Sequence, residues 1–161
     1  MIGARVVAAS TAFVLLCVAG CGGDPPAEFG ASGAWSRPTP AEAGNGVVYL
    51  TVTTDTADAL VDAEVPGDIA RGAELHVTLG GAAGGAHQHG GGEGGEVSMA
   101  QVEAIEMAAG ETLVFAPGGN HIMLVGVTRP LVLGERFSLT LHFTSGRALA
   151  VPVVVADNPP Q

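Results

Sequence analysis

Met99, His121 and Met123 carry donor atoms that soft metal ions prefer, and the last two have a single residue between them. The tripeptide His121-Ile122-Met123 follows a Pro-Gly-Gly-Asn turn signal at residues 117–120. In a strand, residues two apart point to the same face, so this imidazole and this thioether can reach one ion together. Ile122 and Leu124 then turn to the opposite face. A thioether is a soft, neutral ligand that suits Cu(I) and serves Zn(II) or Mg(II) poorly. A Met/His set therefore selects copper by ligand type, and its lack of charge favours the monovalent state.

Such ligands need a rigid sheet behind them, and the surrounding sequence reads as one. Residues 47–53 (VVYLTVT) are rich in β-branched side chains. Further β-type runs follow at 60–65, 74–79, 112–115, 121–127, 137–143 and 148–155. Phe137, Leu139, Leu141 and Phe143 alternate with Ser138, Thr140 and His142, which predicts one buried and one outward face. Turn signals separate the runs at Pro66-Gly67, at residues 117–120 and at Ser145-Gly146. Pro152 predicts an edge strand or a bulge in the last run. The only hint of a helical period is a short stretch near residues 102–108. Seven or eight short strands at this spacing predict an antiparallel sandwich or barrel. Met107 and His142 are expected to be a packing residue and a plain outward residue.

Residues 80–95 break the pattern. They read GGAAGGAHQHGGGEGG, nine glycines in sixteen positions. That composition buries no apolar surface to offset its ordering entropy, so it predicts a mobile loop. The loop carries His87 and His89, candidates for an accessory metal site of the loose kind that His-rich tracts form.

The N-terminus reads as an address. Arg5 precedes an apolar run over residues 6–19 that ends in Val18-Ala19-Gly20-Cys21. The run is too short for a permanent bilayer-spanning helix and has the cationic start and small-residue exit of an export signal. Its last four residues resemble a bacterial lipobox, which implies cleavage before Cys21, diacylglycerol attachment there, and an extracytoplasmic, lipid-anchored protein. Residues 1–20 are thus expected to be a signal peptide, 21–33 a flexible Gly/Pro/Asp-containing tether, 34–156 the folded domain and 157–161 a tail. Cys17 would leave with the signal, so no intrachain disulfide is expected. The whole chain has a net charge of −10. Losing Arg5, the single charge among residues 1–20, leaves −11. There is no lysine, and nothing here could neutralise a phosphate backbone, so nucleic acid is excluded as a partner.

These residues resemble the PCuAC family of extracytoplasmic copper chaperones. Twenty-one residues separate Met99 from the His121-x-Met123 pair, as in that family. Ala34-Trp35-Ser36-Arg37-Pro38 is similar to the family's start, and Glu74-Leu75-His76 to the stretch bearing its first histidine. The stretch PGGNHIML at residues 117–124 and the region 131–143 with its Gly134-Glu135 turn also fit, so the resemblance covers residues 34–155. It implies a cupredoxin-like Greek-key β-sandwich that binds Cu(I) through His76, Met99, His121 and Met123 and catalyses nothing. It further implies assembly of the cytochrome c oxidase copper centre, by direct delivery to the copper subunit or through a Sco-type thiol protein. One departure stands out. Twenty-two residues separate His76 from Met99, twelve more than the family's spacing, and the excess falls in the glycine-rich loop. His76 is therefore the first-histidine candidate, with His87 and His89 as its competitors. Thr78 occupies a position where many relatives carry a further methionine.

Two rival readings belong to other classes. A copper/zinc superoxide dismutase-like lipoprotein, suggested by His87-x-His89, needs four copper-binding histidines, zinc ligands and usually a disulfide. The mature chain would have five histidines and one cysteine. A metal-free interaction domain is the other. No glycine-rich nucleotide loop or paired-carboxylate signature appears.

Overall fold

The computed structural model describes residues 27–79 and 98–160. The expected signal peptide, Cys21, the start of the tether up to residue 26, and the loop with His87 and His89 lie outside the described residues. Every element is a β-strand: β1 (Gly30–Ser36), β2 (Asn45–Thr53), β3 (Asp58–Glu64), β4 (Ala70–Leu79), β5 (Ser98–Val102), β6 (Ile105–Met107), β7 (Thr112–Phe115), β8 (His121–Val127), β9 (Arg136–Phe143) and β10 (Ala148–Val155). They hydrogen-bond in the order β5-β4-β8-β2-β1-β10-β9-β3-β6, with β7 continuing beside β2 where β8 leaves off. β3 also packs against β4, so the sheet folds over on itself around one core.

Alternation drives this burial. Phe137, Leu139, Leu141 and Phe143 of β9 all face the core, and so do Val48, Leu50 and Val52 of β2. On β8 the inward residues are Ile122 and Leu124, both fully buried. Met107 is buried among them, as its packing role required. His142 faces outward beside Glu64, 3.4 Å from its carboxylate.

Four sequence expectations change. The stretch near 102–108 is not helical; Ile105–Met107 pair with β3 instead. Three residues suffice there because Asp58, Ala59 and Leu60 supply a ready edge. The domain also begins earlier than expected, since β1 starts at Gly30 inside the stretch read as tether. Phe29 explains why: its ring meets Phe143 edge-on at 5.1 Å, and the Arg147 guanidinium lies 3.7 Å from its centroid. The sheet is mixed, because β1 runs parallel to β10 while the other ladders are antiparallel. Finally, Pro152 lies on an interior strand. The β1 ladder touches β10 at Val154 and Val155 only, below a bulge at Ser32–Trp35 where Gly33 takes a φ of 63°. Pro152 therefore has no β1 partner that needs its missing N–H.

Arg147 also ties down the turns at that end of the sandwich. Its guanidinium donates to Asp55 (2.6 Å) and to Asp58 (3.1 Å). Asp58 further accepts from the Ser145 hydroxyl at 2.6 Å and from the Ser145 and Ala59 amides. These donors, the Ser145 hydroxyl foremost, hold its carboxyl at about 2 against an ordinary value of 3.8. A carboxyl depressed by folding stabilises the native state above its unfolded value and stops doing so as pH falls through its folded value. Asp58→Asn is accordingly expected to lower stability at neutral pH and to flatten the loss between pH about 4 and 2. Denaturant midpoints measured at several pH values would show it; parallel acid limbs for both proteins would refute it.

Candidate metal site

Cross-strand register places the candidate ligands on one face. His76 of β4 stands directly opposite His121 of β8, and Glu74 opposite Met123. On the other flank of β4, Thr78 is opposite Met99 of β5, and His76 is opposite Gln101. Paired residues in a ladder project to the same side, so His76, Met99, His121 and Met123 share a face. Leu75 of β4 and Ile122 and Leu124 of β8 turn the other way and fill the core behind it. His76 is the hub of the set. It has His121 directly across, and both Met123 and Met99 on diagonals, where long side chains still reach.

The structure brings the two histidines together. Their ring centroids are 5.2 Å apart with planes tilted by 33°. His121 is 8 % exposed, whereas Met99 on β5 is 59 % exposed. Met99 thus shares the face without packing into the histidine pair.

Each histidine has one ring nitrogen engaged. His121 Nδ1 lies 3.0 Å from the Gly119 carbonyl. A carbonyl only accepts, so Nδ1 carries the proton and Nε2 keeps its lone pair. His76 Nε2 lies 3.1 Å from the Glu74 carboxylate and is likewise the donor, which leaves Nδ1 free. The imidazoles therefore offer one lone pair each, the arrangement in which metal-binding histidines are usually held.

The turn before β8 sets this geometry. The Ala116 amide donates to the Asn120 carbonyl and the Gly119 amide to that of Ala116, around Gly118 with a φ of 79°. Such a φ suits glycine. Asn120 then accepts the Thr78 amide through Oδ1, standing in for a strand partner that β8 does not extend far enough to provide. Asn45 acts similarly for Met123: its Nδ2 donates to the thioether sulfur at 3.6 Å while its Oδ1 accepts from the Gly126 amide. Thr78 Oγ1, also on this face, is buried with no hydrogen-bond partner among the described residues.

Glu74 and Asn45 escaped sequence reasoning. The signal for Glu74 was present, since Glu-x-His in a strand puts both side chains on one face. Asn45 had no signal, because it lies 78 residues from Met123. Among the described residues, no group of three or more His, Cys, Asp and Glu side chains could hold a metal.

The family model described as "Putative lipoprotein LpqE-like" matches residues 30–155, which is nearly all of the folded domain. The chain belongs to this LpqE-like family. A relative, "Putative lipoprotein Lxx21020" of Leifsonia xyli subsp. xyli, is 42 % identical over 64 residues, covering 40 % of this chain and 39 % of that protein. The match spans well under half of that relative's length. Among solved structures, the fold resembles the copper-bound PCuAC domain from PmoF2 with a TM-score of 0.60 and 20 % identity, over 81 % of this chain and 97 % of that one. It also resembles Cu(I)-DR1885 from Deinococcus radiodurans, with a TM-score of 0.58 and 29 % identity over 87 % and 84 % of the two chains. The LpqE-like chain thus has the cupredoxin-like fold of PCuAC domains, as the sequence resemblance implied.

Proposed function

We propose that this protein is a non-enzymatic, extracytoplasmic Cu(I) carrier. His76 Nδ1, His121 Nε2 and the thioethers of Met99 and Met123 are its ligands, and Cys21 is its lipid-anchoring residue. The observation that carries this reading is the facing histidine pair, each ring with one nitrogen tied to an acceptor and the other free. Met123 shares their face, and thioethers beside imidazoles favour Cu(I) over harder ions. The copper-bound PCuAC domain and Cu(I)-DR1885 support the cargo by likeness of fold. Delivery to the cytochrome c oxidase copper subunit, directly or through a Sco-type thiol protein, rests on the resemblance to PCuAC chaperones. The apposition of His76 and His121 favours His76 over His87 and His89 as the first histidine. The loop pair is left as an accessory site.

An anaerobic Cu(I) titration against a competing chelator tests the proposal. The full-length protein is expected to bind one tight equivalent, and Met99→Ala and Met123→Ala to weaken it while thermal unfolding stays unchanged. Unaltered affinity in both variants would refute the ligand assignment. A second tight equivalent, lost on removing residues 80–95, would promote the loop histidines. Superoxide turnover by the copper-loaded protein would favour the enzyme reading, and none is expected. Absence of any Cu(I) binding would leave the metal-free interaction domain.

A further inference from the structure

Glu74 sits inside the ligand face without being a ligand in the proposed set. It is directly opposite Met123 in the β4–β8 ladder and two residues from His76 on the same side of β4. Its carboxylate lies 3.1 Å from His76 Nε2, and its side chain is 34 % exposed against 13 % for His76. As a contribution to folding this contact is minor, because the Glu74 side chain is partly exposed and solvent screens it. Its position matters for a different reason. A neutral imidazole has one N–H and one lone pair, and whichever nitrogen donates to a carboxylate is the nitrogen that cannot bind a metal.

We infer that Glu74 is the positioning residue of the copper site: it fixes His76 as the Nε2–H tautomer and so commits Nδ1 to the metal. This rests on the Cu(I) reading above. His121 is set the opposite way, through a backbone carbonyl on Nδ1, which commits Nε2. The two facing rings thus present different nitrogens, one adjacent to the β4 backbone and one at the far end of its ring. The difference follows from their acceptors. Gly119 reaches His121 from the preceding turn, close to the backbone, whereas Glu74 reaches His76 along the strand at the ring's tip. A neutral ligand set leaves the charge of Cu(I) uncompensated, and the Glu74 carboxylate supplies one negative charge beside it. A charged partner also makes the imidazole a stronger donor than a carbonyl does.

The roles of charge and hydrogen bond separate in two variants. Glu74→Gln keeps an acceptor oxygen and removes the charge, and Glu74→Ala removes both. The first readout needs no copper: nitrogen-15 NMR of the His76 ring in the full-length apoprotein at pH about 8, where an ordinary imidazole is neutral. The wild type and Glu74→Gln are expected to show the Nε2–H tautomer, and Glu74→Ala a mixture. The second readout is Cu(I) affinity by anaerobic competition. Glu74→Ala is expected to lose roughly 10–100-fold, the usual cost of removing an outer partner of a metal-bound histidine. Glu74→Gln should retain more of it, and thermal unfolding of both apoproteins should match the wild type. An Nδ1–H tautomer in the wild type would overturn the assignment, as would unchanged affinity in Glu74→Ala. If the wild type binds no Cu(I), the carrier reading fails while the tautomer result still decides whether Glu74 orients the ring.

Discussion

His121→Ala is expected to abolish tight Cu(I) binding, with a loss larger than the roughly 10–100-fold that an outer partner's removal costs. His121 is the least exposed of the four candidate ligands, and its ring is held by the Gly119 carbonyl before any metal arrives. No other described imidazole can replace it: His76 is already its partner across the ladder, and His142 lies on β9 beside Glu64. His76→Ala should approach the same loss. Deleting residues 80–95, with His87 and His89, should leave the main site largely intact, because both strands that carry His76 and His121 are paired independently of that segment. Competition titrations of these variants check the ranking. A loop deletion that abolishes binding while His76→Ala does not would move the first histidine into the loop.

Ile122→Ala is expected to destabilise the protein by about 2–5 kcal/mol, the range for truncating a fully buried aliphatic side chain. Ile122 is fully buried and lies between Leu75 and Val48 in the two ladders that flank β8. Truncation would open a void directly behind His121 and Met123, where neighbouring strands cannot collapse without breaking register. Met123→Ala, one residue away on the open face, removes a half-buried thioether and should change apoprotein stability far less. Chemical denaturation of both apoproteins gives the contrast. Equal midpoints would mean that the two faces of β8 are not divided as the burial indicates.

How much of this was legible in the chain depends on the range of the signal. The β9 alternation and the turn before His121 were readable because both are written within a few residues. The strand Gly30–Ser36 was hidden, since Gly-Ala-Ser-Gly has the composition of a linker and becomes a strand through Phe29, Arg147 and a bulge. Ile105–Met107 was hidden for a related reason: three residues carry too little pattern to show a period. The site was half legible. His121-x-Met123 announces a shared face by itself, but the apposition of His76 and His121 is a register between strands 45 residues apart. The insertion that put His76 in doubt leaves the β4–β8 ladder unaltered.

Among the described residues β5 stands at the end of the sheet order, which gives the candidate site a front and a back. Met99 stands on that outermost strand and is 59 % exposed, whereas His121 sits two strands further in at 8 %. Ligand exchange would therefore run in one direction. A thiolate arriving along the β5 edge would meet the Met99 position first, and in the proposed site the histidines would let go last. The same asymmetry would govern loading in reverse, so the metal would enter and leave through one doorway.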